Sequence, residues 1–92
     1  MRKRPGTIRL GQIVATRGAL GCLSGDDVSA ALMRHRSGDW GTVGDEDWRA
    51  NDYAAEHGER ILSVYRAELG ETFWVITEAD RSVTTVLLPD EY

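Results

Sequence analysis

RILSVYRAELGETFWVITEADRSVTTVLLP, residues 60–89, decides the fold. Three short runs, RILSVYRA, TFWVITEA and SVTTVLLP, are rich in aromatic and β-branched side chains, which suit a pleated, half-buried surface. ELGE at 68–71 and EADR at 78–81 separate them, with Gly70 free to adopt a positive φ, and Pro89 ends the last run. Such short links predict a three-stranded antiparallel meander. Period-2 alternation sets Ile61, Ser63 and Tyr65 against Leu62, Val64 and Arg66, Phe73 and Val75 against Trp74 and Ile76, and Thr84, Val86 and Leu88 against Val83, Thr85 and Leu87. Both faces therefore carry apolar side chains. Either a helix and an N-terminal strand cover opposite faces, or a partner covers one of them, a homodimer being the simplest case.

Upstream, IRLGQIVA at 8–15 reads as a further strand, with Gly11 marking a bulge, and TRGALGCLSGDD as a glycine-rich link. A helix is expected over about 27–36: Ser24 or Asp26 is its cap candidate, Val28, Ala31, Leu32 and His35 form the inward stripe, and Gly38 stops it. A second helix begins near residue 45. Asp45, Glu46 and Asp47 occupy its first turn, where carboxylates meet unpaired backbone N–H groups. Its expected inward face carries Ala50, Tyr53, Ala54 and His57, and Gly58 ends it. The fold class is α+β: one N-terminal strand, two short helices and a C-terminal three-stranded antiparallel meander, a single domain over 8–92 behind a basic flexible leader, 1–7.

With 92 residues, surface scaling leaves about 64% of the extended chain's surface buried, enough for one pair of layers. A deep catalytic cleft would need loops or a subunit boundary. Cys22 is the single cysteine, which excludes an internal disulfide and fits a reduced, cytoplasmic setting. No stretch approaches the ~20 apolar residues of a membrane span. The formal charge of −4 hides an asymmetry: residues 1–22 carry Arg2, Lys3, Arg4, Arg9 and Arg17 and no carboxylate, whereas the other residues hold all 15 acids. Arg2, Lys3 and Arg4 are the candidate phosphate contacts of a nucleic-acid-binding regulator.

Trp40 and Trp48 bracket a loop containing Gly41 and Gly44, either anchoring it by burying their rings or contacting a partner. With Trp74 they supply the apolar part of a partner-binding surface whose rim would be Asp39, Asp80 and Arg81. The competing arrangement is a metal-assisted phosphodiester hydrolase using Asp39, Glu78 and Asp80 with His35 or His57. Capping and turn formation explain the same acids without chemistry. No zincin, nucleophile-elbow, phosphate-loop or dinucleotide motif occurs, and no cofactor is implied.

GDWG at 38–41, ED at 46–47, AND at 50–52, LSVY at 62–65, FWVITEADRSVTTVLLP at 73–89 and the closing EY, together with GQIVATRG at 11–18, resemble a family of small, largely uncharacterised bacterial plasmid-related and mobile-element proteins. The likeness spans nearly the whole chain except the leader. It implies bacterial origin, a cytoplasmic location and an accessory or inhibitory role, and it carries no catalytic residue. The expected function is noncatalytic binding of a macromolecular partner through an apolar sheet face rimmed by acid.

Overall fold

The computed structural model describes residues 6–92. The leader arginines and lysine, Arg2, Lys3 and Arg4, lie outside them. The chain is α+β, and its elements run β1 (Gln12–Ala15), α1 (Arg17–Cys22), α2 (Gly25–Arg36), α3 (Asp45–His57), β2 (Ile61–Arg66), β3 (Thr72–Thr77) and β4 (Val83–Leu87), followed by a 3-10 turn, Pro89–Glu91. None of these helices is long and apolar enough to cross a membrane.

The antiparallel arrangement β2-β3-β4 forms as its alternation requires, Ile61 facing Thr77 and Val75 facing Val86. The sheet is nevertheless mixed, in the order β1-β4-β3-β2, because β1 joins β4 in parallel. This corrects the expected layout, in which the N-terminal strand could cover a face. Its hydrogen-bonding groups instead extend the sheet in its own plane. β1 is also shorter than 8–15. Gly11 turns the chain at φ 64, so close to the Ser82 carbonyl that a Cβ would overlap it. Before that turn Ile8 donates to the Arg36 carbonyl at 3.0 Å and packs with Trp40, Ala54 and Ile61.

Among the described residues there are three α-helices, not two. The glycine-rich link contains α1, capped by the Thr16 hydroxyl, which accepts from Ala19 N–H. Two glycines cost about 1 kcal/mol each in a helix, and the Thr16 cap, the bond from Gly18 N–H to Glu91 and the burial of Ala19 together offset them. Ser24 caps α2 by accepting from Asp27 N–H, and Val28, Ala31, Leu32 and His35 face the sheet as their spacing predicts. α3 differs in its face. Asn51 and Ala54 are buried and Trp48 and Ala55 pack beside them, while Tyr53 and His57 point to solvent and stack on each other at 3.9 Å. The Asn51 amide explains the rotation: its Nδ2 donates to the Leu62 carbonyl at 2.8 Å and its Oδ1 accepts from Leu62 N–H. α3 thereby locks onto the outer edge of β2.

All three helices pack on one side. The core joins Ala19, Ala31, Tyr65, Phe73, Val75 and Val86 in one cluster and Ile8, Trp40, Ala54 and Ile61 in another. The other sheet face meets the C-terminal turn, where Tyr92 packs against Trp74, and is flanked along β2 by α3.

Candidate functional site

On that second face, Leu62, Val64, Trp74 and Thr85 remain half-buried, while Ile76 and Leu87 at its centre are nearly enclosed. The chain after β4 doubles back to cover part of it. Glu91 fastens the turn by accepting from the Thr16 hydroxyl, Gly18 N–H and Leu88 N–H. Tyr92 then sets its ring edge-on to Trp74 at 5.5 Å, and its hydroxyl accepts from the Arg60 guanidinium. Arg60 also pairs with Glu78 at 3.4 Å, both groups being nearly half exposed, so this ion pair orients rather than stabilises.

Beside the Trp74 ring the surface dips into a concavity of about 470 Å³, where Leu62, Val64 and Trp74 form the floor and Val43, Asp47 and Ala50 the far wall. The strands supply the floor because alternate residues of β2 and β3 point the same way. The α3 wall stands there because Asn51 ties it to Leu62. Apolar burial at such a surface is worth ~25 cal/mol per Å², and one carboxylate at the rim sets orientation.

Beneath the opposite face runs a buried chain of polar side chains. The Leu10 carbonyl can only accept, so the Thr84 hydroxyl donates to it at 2.6 Å. Thr84 therefore accepts from Thr77 at 2.7 Å, and Thr77 accepts from His35 Nε2–H at 2.8 Å. In a neutral imidazole Nδ1 is left as an acceptor, and the Ser63 hydroxyl donates to it at 2.6 Å. Burial, with the charge of Arg81 adding to it, holds His35 down to about 4, so the neutral ring is the resting form. Ser63 beside an imidazole is the pairing that nucleophilic catalysis uses. Here both side chains have 0% exposure, no substrate can reach them, and the chain of hydroxyls is a structural link between α2 and the sheet.

The residues singled out in the sequence disperse. Trp40 has 0% exposure, donates through Nε1 to Asp52 at 2.9 Å and has no surface to offer a partner. Trp48 closes the second core cluster from its rim. Of the three tryptophans, Trp74 alone lies on the open face. Asp39 pairs with Arg34 at 2.8 Å and accepts from Gly41 N–H, while Asp80 accepts from the N–H and hydroxyl of Ser82 in a local turn. His57 donates from Nδ1 to the Tyr53 carbonyl. His35, Asp39, His57, Glu78 and Asp80 thus serve separate local contacts, and no group of three or more metal-ligating side chains gathers among the described residues.

Arg81 reaches back onto its own chain. At φ 62 it is the one non-glycine residue among those described with a positive φ. Its guanidinium donates to the Ala54 carbonyl at 2.9 Å, to Glu59 at 2.7 Å and to Glu78 at 3.1 Å. It thus satisfies carbonyls at the end of α3 and bolts that end to the β3–β4 turn. Arg81→Ala is expected to lower the unfolding free energy by about 2 kcal/mol, the worth of charged hydrogen bonds. Urea unfolding checks this, and a loss below about 0.5 kcal/mol would mean that solvent replaces the contacts at no cost.

Asn51, Arg60 and the hydroxyl chain of Ser63, Thr77 and Thr84 fall outside the candidate site residues expected from the sequence. A signal existed for the last: Ser63, Thr77 and Thr84 are polar residues at core-facing positions of three strands. Comparison with models of protein families, with characterised proteins and with solved structures yields no match.

Proposed function

We propose that this chain is a noncatalytic binding module of the cytoplasm whose contact surface is the open sheet face around Trp74, with Leu62 and Val64 beside it. The observation that carries this reading is the concavity of about 470 Å³ that Leu62, Val64 and Trp74 line on this sheet face, with Asp47 beside them. Its occupant is a protein partner that inserts an apolar side chain against Trp74 and sets a cationic group near Asp47. Trp74 would be the anchor, since a partly exposed indole contributes much contact area at little entropic cost. Asp39, Asp80 and Arg81 do not line this concavity, whereas Asp47 does, so the charged rim is assigned to Asp47. The likeness to mobile-element proteins supports an accessory role that modulates or inhibits the partner.

The test is a photo-crosslinking side chain placed at Val64 and, as a control, at Leu69, which is 95% exposed in the β2–β3 hairpin. In the native host the Val64 probe is expected to trap one discrete protein, and Trp74→Ala to reduce the yield about tenfold, equivalent to ~1.4 kcal/mol. Equal labelling from Val64 and Leu69, or no effect of Trp74→Ala, would remove the face from consideration.

A further inference from the structure

The two edges of the sheet are treated differently. At the β2 edge, Leu62 has both outward groups bound by Asn51, Val64 N–H donates to the Trp40 carbonyl at 3.1 Å, and the Val64 carbonyl accepts from Thr42 N–H at 2.8 Å. That edge is sealed. At the β1 edge, Gln12 N–H donates to the Ser82 carbonyl at 2.9 Å and Thr16 N–H to the Val86 carbonyl at 3.0 Å, so the even-numbered residues face β4. By the alternation of a parallel ladder, the N–H and C=O of Ile13 and Ala15 point away from the sheet. β4 is the only strand beside β1 among the described residues. β1 holds neither charge nor proline, the usual means of blunting an edge.

The side chains of β1 select the occupant. Ile13 and Ala15 lie beside Thr84 and Val86, which are buried toward the helices, so both side chains share the helix-bearing face and Val14 is on the other. Ala15 forms one wall of an apolar concavity of about 370 Å³ with Ala19, Leu20, Leu23 and Val28. Two residues before it on the same face, Ile13 is 48% exposed. The strand thus carries an apolar knob and an apolar hole in alternate positions, which is what antiparallel pairing with an identical strand brings together. We infer that β1 pairs antiparallel with β1 of a second copy across a two-fold axis, merging two four-stranded sheets into one. The backbone sets the register. Placing Ile13 opposite the second copy's Ala15 uses both outward-facing residues of each strand in hydrogen-bonded pairs. A shift either way would need Gly11, already turned at φ 64, or Arg17, already in α1. In this register each Ile13 reaches the other copy's concavity beside Ala15. The two Val14 side chains, 38% exposed in the single chain, meet at the axis as a non-hydrogen-bonded pair with Cα atoms ~4.5 Å apart. Gln12 falls opposite Thr16, so no like charges oppose each other along the paired stretch. This inference does not depend on the open-face reading, since the Trp74 concavity lies against β2, at the far edge of the sheet.

Sedimentation equilibrium of the full chain is expected to give twice the protomer mass of 10.2 kDa as concentration rises, with a dissociation constant in the micromolar range, so that the dimer predominates by ~100 μM. Ile13→Pro removes an N–H that β4 does not use, so the fold, followed by circular dichroism, should persist while dimer affinity falls about tenfold or more. Ile13→Glu, at a half-exposed position, sets a carboxylate against the second copy's concavity and should weaken the dimer likewise, which keeps the test valid should Ile13→Pro fail to fold. Cysteines check the register, with the exposed Cys22 replaced by serine. Under oxidised glutathione, Val14→Cys should form a covalent dimer, whereas Gln12→Cys should not, because its counterpart lies beyond the ~7 Å that a disulfide spans between Cα atoms. The proposal is overturned by a monomer at every concentration up to ~100 μM, by a dimer that neither Ile13 variant weakens, or by equal cross-linking from positions 12 and 14.

Discussion

His35→Ala is expected to lower the unfolding free energy by about 3–5 kcal/mol, combining the cavity left by a buried ring with hydroxyls that lose their partners. Ser63 would have no acceptor for its proton and Thr77 no donor, in a region where both are fully enclosed. The same residue gives the protein a definite acid sensitivity. Its pKa falls from the usual 6.5 to about 4 on folding because burial disfavours the cation. Between those values the unfolded chain binds more protons, so stability rises with pH: the contribution is complete above 6.5 and is lost as pH falls toward 4. Linkage makes the loss about 2 kcal/mol at pH 5 and about 3 kcal/mol at pH 4, out of a total that is ordinarily only ~5–15 kcal/mol. Urea unfolding at several pH values would show this slope in the wild type. It should be absent from His35→Gln, which keeps one donor and one acceptor but no titration in that window. A glutamine variant with the wild-type slope would show that the acid response arises elsewhere.

Gly41→Ala is expected to be comparably severe. Gly41 lies at φ 80 and forms a bridge with Val64, and an added Cβ would overlap the Val64 carbonyl oxygen. A left-handed backbone costs a side-chain-bearing residue about 1–2 kcal/mol, and overpacking adds about 1–3 kcal/mol. Here the obstacle is main chain and cannot swing aside. Relief would require Trp40 and Thr42 to leave Val64, reopening the β2 edge and drawing the Trp40 ring from the core. The expected loss is thus about 2–5 kcal/mol by these two terms together. Gly58→Ala isolates the first term: its φ is 70 but nothing lies within 4 Å of the added Cβ. Gly58→Ala should cost about 1 kcal/mol. Equal losses in the two variants would mean that backbone strain alone accounts for Gly41.

Both experiments concern residues whose importance is long-range. His35 was legible as a member of the α2 stripe because its helical neighbours share its spacing. Its partners were not, since Ser63 and Thr77 are 28 and 42 residues away in the chain. Trp40, Trp48 and Trp74 are chemically identical in a sequence. Trp40 is enclosed because the bridge at Gly41 holds its segment against β2, while Trp74 is only partly buried because its place on β3 turns it to the other face. Arg81 resembled a surface charge because it follows Asp80 in a polar turn, and only the approach of the α3 end turned it inward. Tyr53 and His57 misled for a related reason. Apolar spacing marked their face as inward, yet the bond from Asn51 to Leu62 decided which side of α3 meets the sheet.

The amino-acid order alone determined the antiparallel β2-β3-β4 pairing, the extent and inward stripe of α2, the start and end of α3, and the charge contrast between the N-terminal stretch and the rest. Each is written in preferences that act within a few residues: alternation of side chains across a strand, the spacing of a helical turn, a cap, a glycine stop. Tertiary structure decided that β1 joins the sheet in parallel, that all the helices gather on one face, and that one edge is sealed while the other is open. Those outcomes depend on which distant backbone groups and buried hydroxyls satisfy one another, and local dihedral preference holds no record of that choice.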